Sequence, residues 1–255
     1  MKAKAESRVS GGKKNYELTY TLIAINILVF LVVFSMPPEM RTGLFENYSF
    51  SAANAGDILR WISSLFLHAS ASHLFFNMLG LFFFGRILEK EVKPQWYLAI
   101  FFVGGILGNF AFMMSSSAAA VGASACVFSL MGAAMLLNPV KRVHLYIFPL
   151  PLAFIAITFL LTTTIILYFQ PEFGGVAHIA HLGGLLTGAT FAFFYDPKRF
   201  MKGLLVLIIC GAILIILGPL LSLITGFGSA ILSVVDFIIG LALYSLASML
   251  SFIWV

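Results

Sequence analysis

Eight apolar runs follow one another along this chain: 19–36, 71–88, 95–115, 122–139, 143–169, 175–195, 203–226 and 229–253. Each is about as long as a helix must be to cross a bilayer core, ~20 residues. The breaks are turn-rich, at Pro37-Pro38, Pro94, Ser115–Ser117, Asn138-Pro139, Pro171 with Gly174-Gly175, Asp196-Pro197 and Gly226–Gly228. Hydrophobic residues make up 61% of the 255 and charged residues 10%. That leaves too few polar side chains to cover a water-soluble fold. In lipid a backbone must satisfy its own hydrogen bonds, and unbroken apolar runs of this length do so as helices. The expected fold class is an all-α polytopic membrane protein.

Eight crossings place both termini on one side, and the basic residues test that. Of the 15 Lys and Arg, only Arg41 and Arg60 fall on the far side from the N-terminus. This positive-inside bias makes the basic tail 1–17 cytoplasmic, in a multi-pass protein expected in the cell membrane. The net charge of +5 therefore encodes orientation in the bilayer, and no nucleic-acid partner is expected. No cleavable signal peptide is apparent, because the tail runs into a segment long enough to span. Cys126 and Cys210 both sit in apolar runs and read as small buried residues. The outer connection 37–70 is far longer than the others and apolar around Trp61, Leu65 and Phe66, as a loop lying in the interface would be.

Ionisable side chains within spans are costly and are functional candidates. Among the carboxylates only Asp236 lies inside an apolar run, so paired-carboxylate chemistry is poorly supported. HExxH, the Walker loop and GxGxxG are absent, and no metal or cofactor is expected. Histidine and serine remain. Gly122-Ala123-Ser124-Ala125 opens the fourth run, placing Ser124 in a first helical turn whose free N–H groups favour developing negative charge. Taken alone, such a serine also reads as an N-cap or a small packing residue. The sixth run carries His178, His181, Gly184 and Gly188. Positions 181, 184 and 188 share one face, and the two glycines let a neighbouring helix pack closely. If that neighbour is the fourth run, imidazole and hydroxyl can meet; otherwise the histidine bonds a carbonyl across the interface. His73 and Asn77, spaced i, i+4 in the second run, are donors suited to an oxyanion, or are polar glue between helices. Ser124, His73, Asn77 and His181 all fall within roughly 10 Å of the outer ends of their runs. That shared depth makes the set a stronger signal than any of its parts.

The segments LHASASHLFFNMLGLFFFGRILE, GASACVFSLMGA and AHIAHLGGLLTG, in that order between Arg60 and Asp196, resemble the rhomboid intramembrane serine proteases. The resemblance implies a six-helix catalytic core over 18–196, which includes loop 37–70. Residues 197–255 then add two C-terminal transmembrane helices without an assigned role. It implies Ser124 as nucleophile and His181 as general base, since the family's catalytic histidine directly precedes the run Leu182-Gly183-Gly184. It further implies His73, Asn77 and the neighbourhood of Gly122 as the oxyanion and substrate-binding site, and Phe128 as the ring packed on the imidazole. Arg60 matches the arginine of a Trp-Arg pair, with Leu59 in place of the tryptophan and Trp61 on the other side. Ala125 stands where the family usually has glycine, which is expected to crowd the oxyanion pocket or the sixth helix. The implied partners are single-span membrane-protein substrates cut near their outer end, with the lipid bilayer as solvent. Pro149, Pro151 and Thr162–Thr164 make the fifth run a candidate gate, and Asp236 a remote candidate for a third catalytic member. A non-catalytic relative that binds membrane-protein clients is the alternative. A transporter is the remaining class, but it would distribute polar residues through the membrane, whereas here they cluster at one end.

Overall fold

The structure, a computed structural model, describes residues 16–145, 148–157 and 177–213. Helix α1 spans Glu17–Ser35, α2 Pro38–Tyr48 and α3 Ile58–Ser63. Helix α4 runs Ala71–Glu89 with a π turn at Leu81–Gly85, followed by α5 at Pro94–Met113 and α6 at Ser124–Leu137. Strands β1 (Arg142–Leu145) and β2 (Phe148–Pro151) form an antiparallel ribbon. Helix α7 is described over 152–157, α8 spans Ala177–Tyr195, and α9 is described over 197–213. The chain divides into units Met1–Leu207 and Ile208–Val255, the second described only over its first residues.

Among the described residues, α1, α4 and α5 are long and apolar enough to cross a membrane, and α6 is a shorter apolar helix. Leu28, Leu31 and Val32 of α1 and Phe75 and Phe76 of α4 lie exposed, as side chains that face lipid do. Helix α6 is the opposite case. Every residue from Ala125 to Leu137 is buried, the mark of a helix surrounded by others. Small residues set its contacts. A Cβ on Gly184 or Gly188 of α8 would run into the carbonyl oxygens of Ala125 or Ser129, and one on Gly132 into the Leu185 carbonyl. From α5, Gly104 meets Ser129, Gly105 meets Cys126, and Gly108 meets both Ala125 and the Ala180 carbonyl. Helices α5, α6 and α8 thus touch backbone to backbone, the packing that lipid favours because burying large side chains gains little there.

At the other end from Ser124, the Glu89 carboxylate accepts the Leu18 N–H at 2.8 Å, the Thr19 N–H at 3.0 Å and the Thr19 hydroxyl at 2.6 Å. It caps α1, whose own N-cap residue supplies no side-chain bond.

The expected fifth span, 143–169, departs from the structure at its start. Residues 142–151 form the ribbon, and helix begins only at 152. The reason lies in Pro149 and Pro151: neither has an N–H, and a helix interior would lose a bond at each. In a strand, residues two apart point their amides to the same side, so both missing donors can lie on the outer edge. The two prolines pair with His144 and Arg142 across the ribbon, so they do not kink a moving helix. Thr162–Thr164, Asp236 and the 229–253 span lie outside the described residues. Helix α9 starts at 197, six residues before the run 203–226 suggested, because Asp196 and Pro197 open a helix: Asp196 Oδ1 accepts the Arg199 N–H at 3.0 Å.

Candidate active site

Ser124 opens α6 after Ala123, an N-cap residue whose side chain makes no capping bond, so the N–H groups of the first turn stay available. It is also the one residue of this helix that is not buried. One turn on, the Phe128 ring stacks on His181 with centroids 4.3 Å apart and planes 4° from parallel. The register of α8 on α6 explains the meeting: 188 opposes 129 and 184 opposes 125. One turn further back, the same parallel pairing puts 181 opposite 122, in the backbone that leads into Ser124.

Helix α4 brings the other polar pair. Ser70 caps it, its Oγ accepting the His73 N–H at 3.1 Å, which fixes His73 in the first turn and Asn77 in the second. Gly122 is the hinge between this helix and Ser124. Its φ of +113° suits glycine, and a Cβ there would lie 2.6 Å from His73 Cε1, 2.7 Å from Nε2 and 3.6 Å from Asn77 Nδ2. Asn77 Nδ2 is buried with no hydrogen-bond acceptor among the described residues. An orphan buried donor costs about 1–3 kcal/mol, and an oxyanion beside Gly122 would satisfy it. His73 and Asn77 of α4 therefore meet the backbone at Gly122, two residues before Ser124.

A tether from the long outer loop holds the Gly122 backbone in place. Phe50 and Ala120 exchange two backbone bonds (3.1 and 2.7 Å), and the Gly122 N–H donates to the Ser64 carbonyl at 2.8 Å. Asn109 of α5 donates to Ser64 Oγ at 3.0 Å and to the Trp61 carbonyl at 3.3 Å. The long outer loop is thus bonded to the backbone just before Ser124. Asn109, a polar residue inside an apolar run, was the signal that could have found this tether. Arg60 sits apart from the polar cluster. It donates to the Glu46 carbonyl at 2.7 Å and pairs with Asp57 at 3.3 Å, tying α3 to α2. Trp61 supplies the anchoring expected of the displaced tryptophan: its indole N–H bonds the Ala55 carbonyl at 2.9 Å and its ring lies 4.3 Å from that of Phe50.

The Ala125 methyl does not crowd α8. It faces Gly108, whose own Cβ would collide with it, while the Ala125 carbonyl faces Gly184. Glycine at 108 leaves the room that alanine at 125 fills.

His68, in the loop before α4, lies with its ring 5.1 Å from that of His73 and its Nε2 buried without a partner among the described residues. Burial, with a lesser contribution from His73, pushes its imidazole down from 6.5 to about 4. The folded chain therefore keeps His68 neutral where the unfolded chain takes up a proton. Stability that is complete above about pH 6.5 is lost as the pH falls towards 4. Thermal unfolding in detergent should show this acid slope, and His68→Gln should flatten it.

The Rhomboid domain family model matches residues 55–198. The chain is 24% identical over 182 residues to the rhomboid protease GlpG of Yersinia pseudotuberculosis, covering 71% of this chain and 63% of that protein. It is 25% identical over 185 residues to that of Yersinia pestis, with the same coverage. It is 26% identical over 235 residues to rhomboid-like protease 3 of Toxoplasma gondii, covering 84% of each. The chain spans just under two thirds of the length of the Yersinia proteins. Apolar helices, small-residue packing and a domain match over more than half its length agree: this all-α polytopic membrane protein belongs to the rhomboid family.

Proposed function

We propose that the chain is an intramembrane serine endopeptidase that cuts single-span membrane proteins near the outer end of their transmembrane segment. The observation that carries this reading is the Phe128–His181 stack, one turn from the only residue of α6 that is not buried. In the proposed reaction His181 takes the Ser124 proton as Oγ attacks a peptide carbonyl. The carbonyl oxygen becomes an oxyanion and accepts bonds from His73, Asn77 Nδ2 and the Ser124 N–H. Collapse of the intermediate breaks the C–N bond, and His181 returns the proton to the leaving amine. Water then hydrolyses the acyl-enzyme by the same proton path. A substrate helix hides its carbonyls in its own hydrogen bonds, so it must unwind locally before attack. The near absence of basic residues on the Ser124 side supports a site at the outer leaflet of the cell membrane, with the N-terminus in the cytoplasm.

Cleavage of a single-span substrate in proteoliposomes tests the assignment. His181→Ala should abolish cleavage, whereas His178→Ala, one turn along α8, should leave most of it. His73→Ala and Asn77→Ala should each lower kcat by about 100- to 1,000-fold, the range for one oxyanion donor. Retained substrate binding without cleavage in the unmodified protein would instead identify a client-binding relative. Loss of activity in His178→Ala alone would make His178 the base.

A further inference from the structure

A second polar site lies at the opposite end of α6. Where that helix runs into the 138–141 turn and meets the start of α9, a cavity of about 330 Å³ opens, lined by Leu137, Asn138, Val140, Lys141, Arg199 and Lys202 among others. The groups around it are almost all donors. Arg199 is held rigidly: Nε donates to the Leu137 carbonyl at 3.0 Å, and Nη2 donates to Glu91 at 2.9 Å and to Asn138 Oδ1 at 2.7 Å. Its Nη1 makes no hydrogen bond among the described residues. Lys141 Nζ gives one bond to Glu91 at 3.1 Å and has two N–H to spare. Asn138 Nδ2 is buried without an acceptor among the described residues. Lys202 has no ionic partner among the described residues.

We propose that this cavity binds the phosphate of an anionic phospholipid headgroup. Three cations line it and Glu91 offsets one of them, which leaves an excess of positive charge. The two N–H groups on Arg199 Nη1 are left to meet a phosphate oxygen from a fixed position, and Asn138 and the lysines supply further donors. A lipid explains more than free phosphate does. Val140 is 59% exposed at the cavity and Leu205, three residues beyond Lys202, is 58% exposed. They provide an apolar border on which acyl chains would lie. The cavity is at the same end as the Glu89 cap of α1, the end that carries most of the basic residues. Basic pockets at that end of transmembrane helices suit acidic headgroups.

Native mass spectrometry of the full chain in detergent, titrated with phosphatidylglycerol or phosphatidylcholine, tests the proposal. One phosphatidylglycerol should be retained in preference to phosphatidylcholine. Lys202→Gln should weaken retention about fivefold, with Lys141→Gln comparable, while Lys93→Gln at the start of α5 should leave it unchanged. Lys202 is exposed and unpartnered, so its loss should not disturb folding, and the melting temperature of each variant checks this. Equal retention of the two lipids, no effect of the Lys202 and Lys141 variants, or an equal effect of Lys93→Gln would overturn the site. Displacement by equimolar inorganic phosphate would overturn the lipid assignment and leave a phosphate site. None of these readouts involves Ser124, so the protease reading stands or falls separately.

Discussion

Ser124→Ala is expected to lower substrate cleavage by at least about 10⁴-fold and to abolish labelling by a fluorophosphonate. The size of the effect follows from what is removed. The proposed oxyanion donors at His73 and Asn77 remain, but the proposed attacking hydroxyl is gone. Folding should hardly change, because Ser124 is partly exposed at the first position of its helix and its hydroxyl makes no hydrogen bond among the described residues. Unfolding of the variant should match the parent within about 0.5 kcal/mol, as for surface substitutions. Persistent labelling would move the nucleophile to another serine and end the Ser124 assignment.

Gly188→Val should act through the fold. A Cβ at 188 would occupy the space of the Ser129 carbonyl and crowd the Ala133 amide, and neither backbone group can rotate away as a side chain would. Helices α6 and α8 must separate, which carries His181 away from Ser124. The expected cost is about 3 kcal/mol or more, at the upper end for overpacking. Thermal unfolding and fluorophosphonate labelling should therefore fall together. A variant that unfolds normally yet fails to label would show that contact at 188 matters to chemistry and not to packing.

The spans were legible because lipid leaves the backbone few options. The runs at 19–36, 71–88, 95–115, 122–139 and 175–195 match α1, α4, α5, α6 and α8 within a few residues. Apolar content failed at 143–151, where a ribbon and a helix start are equally hydrophobic and only the spacing of Pro149 and Pro151 tells them apart. The meeting of His73 and Asn77 with Gly122 was legible by depth, since 73, 77 and 122 each fall near the same end of a run. Its supporting bonds were not. Ser64 to Gly122 and Phe50 to Ala120 are pairings between residues more than 50 positions apart, made by backbone groups that every residue carries. Gly108 opposite Ala125 was also beyond reach, because a glycine in an apolar run does not name the residue it makes room for.

The bonds between Phe50 and Ala120 have a mechanical consequence. They fasten the long outer loop to the stretch of backbone that leads into Ser124, the proposed nucleophile, with the Gly122–Ser64 bond two residues further on. A polypeptide that wedges the loop aside pulls on the same few residues that aim Ser124. Entry of cargo and alignment of the attacking oxygen are therefore geared to each other, so loosening the tether should trade accuracy of aim for ease of entry.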